Sequence, residues 1–166
     1  MASGSFSVDP DTRWSIAGSF GWRLDPRWTF GMELLWSDLK YAPADLVTPF
    51  ERVAFTDPAR SLVTFAVTNR VDLRRQRIHP YVVFGGGITA DSIAYTPLLN
   101  VSQPTPQVVS EGRVAHVSAY LSLVVGGGIA FRVSPSVSLD VDLRGIYMRG
   151  APSQWGRIGV GATYRF

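Results

Sequence analysis

The sequence predicts an all-β fold, an antiparallel up-and-down transmembrane β-barrel with seven clear strands of an eight-stranded closure. Three observations predict it. Alternating segments run to about 11–18 residues, against a mode of about 5–6 for strands of soluble proteins, whereas a membrane strand needs about 9–11. The polar face of that alternation is built from Gly, Ala, Ser and Thr with isolated charges of both signs, which suits a narrow lumen better than a water-facing surface. Trp14 and Trp22 stand eight residues apart on one face, as do Trp28 and Trp36. At about 3.3 Å per residue and a tilt of about 40°, that spacing climbs roughly 20 Å, close to the apolar band between two aromatic girdles.

Residues 2–12 hold at most a strand remnant, Ser5 to Val8, before a turn-forming Asp9-Pro10. From Trp14 to Leu24 the even positions Trp14, Ile16, Gly18, Phe20, Trp22 and Leu24 oppose Ser15, Ala17, Ser19, Gly21 and Arg23. After the tight turn Asp25-Pro26-Arg27, the next strand sets Trp28, Phe30, Met32, Leu34 and Trp36 against Thr29, Gly31, Glu33, Leu35 and Ser37. Pro43, Pro49 and Pro58 mark residues 42–60 as a long loop. Ser61 to Leu73 opposes Val63, Phe65, Val67 and Val71 to Thr64, Ala66, Thr68, Arg70 and Asp72, with Asn69 an exception on the apolar face.

The polar turn around Arg74, Arg75 and Arg77 leads to a strand from Tyr81 to about Tyr95, with Val82, Phe84, Gly86, Ile88 and Ala90 on its apolar face. Pro97, Pro104 and Pro106 make 96–113 a second long loop. The clearest strand opposes Val117, Leu121, Leu123, Val125, Ile129, Phe131 and Val133 to His116, Ser118, Tyr120, Ser122 and Arg132. Ser134-Pro135-Ser136 turns the chain, and Val137, Leu139, Val141, Leu143 and Tyr147 then oppose Ser138, Asp140, Asp142 and Arg144. In the last strand Ile158, Val160, Ala162, Tyr164 and Phe166 face away from Arg157, Gly159, Gly161, Thr163 and Arg165. No segment has a helical period.

Composition narrows the function. A chain of 166 residues is one domain. Charged residues make up only 17% against the usual 25% or so, and Lys40 is the only lysine beside fifteen arginines. The net charge of +3 and pI near 9.6 would permit a nucleic-acid partner. The arginines, however, are dispersed over the interior faces of several strands, so no nucleic-acid partner is expected. The chain has no Cys, which removes disulfides and thiol chemistry. His79 and His116 are too far apart in sequence to suggest a metal site, so neither a metal nor a cofactor is expected. There is no apolar run long enough for a transmembrane helix, and Met1 to Ser5 lacks the basic and apolar regions of a signal peptide.

The ending Gly161-Ala162-Thr163-Tyr164-Arg165-Phe166 resembles the Gly-x-x-aromatic-x-aromatic assembly signal of the small OmpA-like outer-membrane β-barrels, the eight-stranded porin-like and surface-antigen barrels. Pro80-Tyr81-Val82-Val83-Phe84-Gly85-Gly86-Gly87 and Gly126 to Ser136 resemble recurrent strand elements of that family. The resemblance covers about residues 13–166. It implies a bacterial outer-membrane location, contact with lipid and lipopolysaccharide, and recognition of Gly161, Tyr164 and Phe166 by the barrel assembly machinery. It also implies aromatic girdles at Trp14, Trp22, Trp28, Trp36, Tyr164 and Phe166. Such barrels use even strand numbers. The sequence therefore predicts a truncated or mis-started chain, with residues 1–12 a remnant or linker ahead of the 13–166 barrel domain and most of strand one missing.

The expected role is non-enzymatic, structural or in surface interaction, with an extracellular ligand taken by the external loops 42–60 and 96–113. Those loops carry Leu46, Val47, Phe50, Val53, Phe55, Leu98 and Leu99. A narrow porin-like channel is the alternative, and a soluble ligand-binding β-barrel a third. The lumen is expected to hold a charge network of Arg23, Glu33, Arg70, Asp72, Arg132, Asp140, Asp142 and Arg144. Gly85-Gly86-Gly87 and Gly126-Gly127-Gly128 lack the strand-to-helix context of a phosphate loop, so they read as room for a narrow lumen or a bend. His116-x-Ser118 resembles the His-x-Ser element of the outer-membrane lipid A deacylases, which would make the chain a lipid A-modifying enzyme. It departs from that family in Ala119-Tyr120, in Ala130 at the acidic position, and in lying on the lumen face. No catalytic residue is therefore assigned.

Overall fold

Ala2–Asp9 is hydrogen-bonded on both edges, to the strand that follows it and to the last strand of the chain, and this closes the sheet into a barrel. The computed structural model describes residues 2–9, 12–40, 46–47, 51–74, 76–101, 107–110, 112–151 and 154–165. Its strands are β1 (Ala2–Asp9), β2 (Thr12–Arg23), β3 (Trp28–Leu39), β4 (Leu46–Val47), β5 (Glu51–Asp72), β6 (Ile78–Val101), β7 (Gln107–Ser110), β8 (Val114–Arg132), β9 (Val137–Met148) and β10 (Trp155–Tyr164). Antiparallel pairing runs β1–β2–β3–β5–β6–β8–β9–β10 and back to β1. β4 and β7 are short additions to the outer edges of β5 and β6.

The ring therefore has eight strands, and the eighth is the segment expected to be a strand remnant or linker. β1 is the shortest of the eight, at 8 residues. Its register places Phe6 opposite both Ile16 and Val160. Ser3-Gly4-Ser5 contributes almost nothing to hydrophobic periodicity, which is why the alternation alone cannot identify it. Pairing on both edges from Ala2 to Ser7 supplies what its sequence does not advertise.

The expected loops also contain strand. Glu51 to Arg60 and Thr96 to Val101 continue the β5–β6 ladder, with Glu51 opposite Val101. Pro58 falls where the register shifts between Thr56 and Ala59, so this proline interrupts pairing locally without ending the strand. With β4 and β7 on its edges, this extension is a four-stranded sheet at the loop end of the barrel.

The opposite end is tied by tight turns. Asp25 Oδ1 accepts the backbone N–H of Trp28 at 2.9 Å, and the N–H of Leu24 bonds to the Trp28 carbonyl at 2.9 Å. Ser134 Oγ accepts the N–H of Val137 at 3.0 Å. Both are side-chain-stabilised turns of the kind their sequences predict.

The period-2 alternation sorts side chains in the sense of a membrane barrel. Outward residues on the seven strands β2, β3, β5, β6, β8, β9 and β10 include Ile16, Leu34, Phe65, Ile88, Leu121, Leu143 and Ile158, all exposed. Inward lie Ser15, Ser37, Thr89, Ser138, Thr163 and Arg157, none more than 1% exposed. A soluble β-barrel would bury the first set, so the polarity is inverted relative to a water-soluble fold.

Candidate functional site

The lumen is layered. Below its middle, toward the turns, Arg70 joins two carboxylates: Nε is 3.1 Å from Asp72 Oδ1 and Nη1 is 3.2 Å from Asp140 Oδ1. The same guanidinium lies 3.6 Å from the centre of the Tyr81 ring, a cation–π contact on a buried tyrosine. Thr163 Oγ1 donates to Asp140 Oδ2 at 2.7 Å. Arg23 reaches Asp72 only at 4.0 Å and donates through Nε to the Asp25 carbonyl at 3.2 Å.

A second cluster crosses the middle of the lumen. Arg144 pairs with Glu33, and its Nε is 3.0 Å from Asp142 Oδ2. Arg157 sits between the same two carboxylates, with Nη2 3.6 Å from Glu33 Oε1 and 3.4 Å from Asp142 Oδ2. β3 and β10 are not neighbours in the sheet, so this cluster ties opposite walls together. Its members are mutually compensating, which is the condition for burying charge at all.

Above it the lumen turns apolar. Ala17, Leu35, Leu39, Leu62, Ala66, Val124, Ile146, Met148 and Trp155 form one buried cluster, with Tyr120 and Ala151 packed on it. Thr64 and Thr89 bond to each other at 2.9 Å at the same level. Higher still, Arg60 holds Asp91 in a bidentate pair, Nε–Oδ1 3.0 Å and Nη2–Oδ2 2.7 Å. Among the described residues, two small cavities lie along the axis. One of ≈ 40 Å³ is bordered by Glu33, Thr68, Arg70 and Arg144, and one of ≈ 10 Å³ by Leu35, Val124, Ile146 and Arg157. The first has room for about one water and the second for scarcely that.

Of the residues expected in the charge network, the structure thus brings Arg23, Arg70, Asp72 and Asp140 into one cluster and Glu33, Asp142 and Arg144 into another. Arg132 joins neither: among the described residues it reaches no carboxylate, and its Nε is buried without a hydrogen-bond partner. Sequence reading left out Arg157, the Arg60–Asp91 pair, Tyr81 and Thr163. Inward parity was readable for Arg157, Asp91, Tyr81 and Thr163 but not for Arg60, which fell in the expected loop 42–60, and their partners depend on register between distant strands, which alternation does not encode.

The aromatic residues fall at two levels. Trp14 and Trp36 meet edge to face at 4.3 Å near the loop end. Trp22, Trp28 and Tyr164 lie exposed near the turns, and Trp28 approaches Phe84 at 6.4 Å. In the expected assembly signal, Gly161 pairs with Ser5 and Asp140, Tyr164 points outward, and Phe166 lies outside the described residues.

The glycine triplets sit inside continuous strands. A Cβ on Gly87 would stand 1.9 Å from the Phe65 carbonyl oxygen, and one on Gly85 2.1 Å from that of Val67. β6 therefore approaches β5 so closely at Gly85 and Gly87 that these two inward positions have no space for a side chain. Ser118 Oγ and His116 Nε2 are 3.0 Å apart at the exposed loop end of β8. Opposite Ser118 stands Asp91, whose carboxylate is occupied by Arg60. The acidic position of the deacylase pattern is Ala130, fully buried elsewhere in the lumen. No group of three or more metal-ligating side chains occurs among the described residues.

No protein-family model and no curated sequence matches the chain. Its structure is similar to those of three small barrels. Neisserial surface protein A superposes with a TM-score of 0.57 at 15% identity, covering 99% of this chain and 94% of that one. Ail, the attachment invasion locus protein of Yersinia pestis, gives 0.56 at 12% identity, covering 99% and 97%. The same protein has been solved in complex with the heparin analogue sucrose octasulfate. The N-terminal β-barrel domain of Pseudomonas aeruginosa OprF gives 0.53 at 15% identity, covering 99% and 96%. At such identities the likeness is one of fold: this chain has the fold of the small outer-membrane β-barrels.

Proposed function

We propose that the protein is an integral barrel of a bacterial outer membrane that catalyses no reaction, and that it acts structurally or in surface interaction through its loop end. The observation that carries this reading is the inverted polarity of the closed ring. Large apolar side chains stand exposed on seven strands around a lumen that buries Arg157, Glu33, Asp142 and Asp140. Only a solvent less polar than water makes that arrangement stable. The levels of Trp14 and Trp36 on one side and Trp22, Trp28 and Tyr164 on the other support two interfacial girdles.

The filled lumen supports a structural role over a pore. An eight-stranded barrel is just wide enough for its side chains to fill it, and here an apolar layer lies directly above an ionic one. The sheet extending from β5 and β6, which falls within the stretches expected as loops 42–60 and 96–113, is the surface offered to an extracellular ligand or to lipopolysaccharide. The Ail complex with a heparin analogue supports ligand binding by a barrel of this fold. Recognition of Gly161, Tyr164 and Phe166 by the barrel assembly machinery belongs to the same reading.

Heat-modifiable gel migration after refolding in detergent tests it. A closed membrane barrel migrates at different positions before and after boiling. A protein that stays monodisperse without detergent and migrates identically in both states would instead be a soluble barrel.

A further inference from the structure

Among the described residues, the turn end of the lumen carries more positive charge than its carboxylates compensate. Arg23 closes β2, Arg132 closes β8, Arg165 follows β10, and Arg70 and His79 lie on β5 and β6, all on the inward parity of their strands. Backbone bonds draw these segments together: Arg132 N–H to the Arg77 carbonyl at 2.8 Å and Arg165 N–H to the Ser136 carbonyl at 2.7 Å. Arg165 lies within electrostatic reach of Arg23, Arg132 and Arg70 as like charges and of Asp72 as a compensating carboxylate.

Among the described residues, the two lumen carboxylates at this level are already engaged. Asp72 and Asp140 both serve Arg70, and Asp140 also accepts from Thr163. Among the described residues neither Arg132 nor Arg165 has an ion pair. His79 is 1% exposed, and among the described residues neither ring nitrogen has a hydrogen-bond partner of good geometry. Buried donors left open in this way are costly unless something accepts from them.

We propose that Arg23, Arg132, Arg165 and His79 form a binding site for a phosphate oxyanion at the turn-end mouth of the lumen. Guanidinium groups match the geometry of phosphate oxygens, and a charge-assisted bond to each is strong in a partly desolvated site. His79 supplies an N–H donor from the wall. The exposed Arg27, Arg74 and Arg77 on the surrounding turns raise the local concentration of anions. The phosphate belongs either to a free anion or to the headgroup of an anionic phospholipid in the adjacent leaflet.

Two measurements on the full chain separate these sources. Inorganic phosphate is titrated calorimetrically into the barrel in phosphatidylcholine nanodiscs, and retention of phosphatidylglycerol over phosphatidylcholine by the detergent-solubilised barrel is read by native mass spectrometry. Saturable phosphate binding identifies a free anion, and selective phosphatidylglycerol retention identifies the headgroup. In either arm, the Arg132→Gln/Arg165→Gln double variant is expected to weaken binding at least about tenfold, while Arg149→Gln at the loop end leaves it unchanged. Heat-modifiable migration confirms that each variant is folded. Arg165→Gln alone, altered beyond the end of β10, provides a milder variant with the same expected direction. Absence of binding in both arms, or equal binding by the folded double variant, overturns the site.

Discussion

Arg157 of β10 reaches across the lumen to Glu33 of β3, placing its Nη2 3.6 Å from Oε1 while only 1% of the arginine is exposed. Glu33 also holds Arg144, so it is one of two carboxylates shared by two buried guanidinium groups. Glu33→Ala would remove one of the two carboxylates that both arginines share, leaving Asp142 as the other. Removing one partner of a buried ionic cluster costs about 3–5 kcal/mol. The variant should therefore unfold from detergent micelles at a clearly lower urea concentration than the wild type, with the midpoint read by tryptophan fluorescence. An unchanged midpoint would mean that water reaches this layer.

The two neighbouring glycines Gly86 and Gly87 should respond oppositely to the same substitution. On Gly87 a Cβ meets the Phe65 carbonyl oxygen at 1.9 Å, and backbone must move to admit it. On Gly86, which faces outward, the nearest atom is the Ser122 carbonyl oxygen at 3.6 Å, an ordinary contact. Gly87→Ala is expected to destabilise the barrel by about 1–3 kcal/mol through overpacking, and Gly86→Ala to stay within about 0.5 kcal/mol of wild type. Equal urea midpoints for the two variants would refute the close approach of β6 to β5 at Gly87.

These contrasts show what alternation does and does not encode. The lipid-facing and lumen-facing sets were readable because a strand's side chains alternate strictly, so Leu143 and Asp142 are assigned by parity alone. β1 was legible only as a remnant from Ser5 to Val8 because Ser3, Gly4 and Ser5 have little periodicity of their own. The upper halves of β5 and β6 escaped because Pro58 and Pro97 look like loop punctuation, although one sits at a register shift and the other lies within a paired strand. For the charges, parity selected the lumen residues, but their sorting into two clusters follows from strand stagger. Arg132 and Asp140 are separated by eight positions and a turn, yet Asp140 partners Arg70 of β5 and Thr163 of β10.

Leu143 and Val160, at 61% and 59% exposed, lie opposite one another's strands on the outer face. On a water-soluble barrel an arginine at either position would be almost neutral. In a bilayer, arginine near the midplane costs about 2–4 kcal/mol. Val160→Arg and Leu143→Arg should each lower folding yield into lipid vesicles and the urea midpoint there. The same arginine at Ser136, on a turn, should change neither appreciably. Full stability of Val160→Arg in vesicles would contradict a lipid-facing β10.

The order of layers along the axis makes a prediction about conduction that distinguishes plug from gate. The ionic layer of Glu33, Asp142, Arg144 and Arg157 is capped on the loop side by Leu35, Ala66, Val124 and Ile146, with Trp155 and Met148 above. Neutralising the ionic layer leaves that apolar cap in place, and side chains still fill an eight-stranded lumen. Planar-bilayer recordings of the wild type should therefore show no discrete large conductance steps, and neither should those of Glu33→Gln. If Glu33→Gln conducts where the wild type does not, the Glu33–Arg144 pair is a gate, and the apolar layer is too loosely packed to seal the barrel. Steps in the wild type itself would establish a continuous pore through both layers.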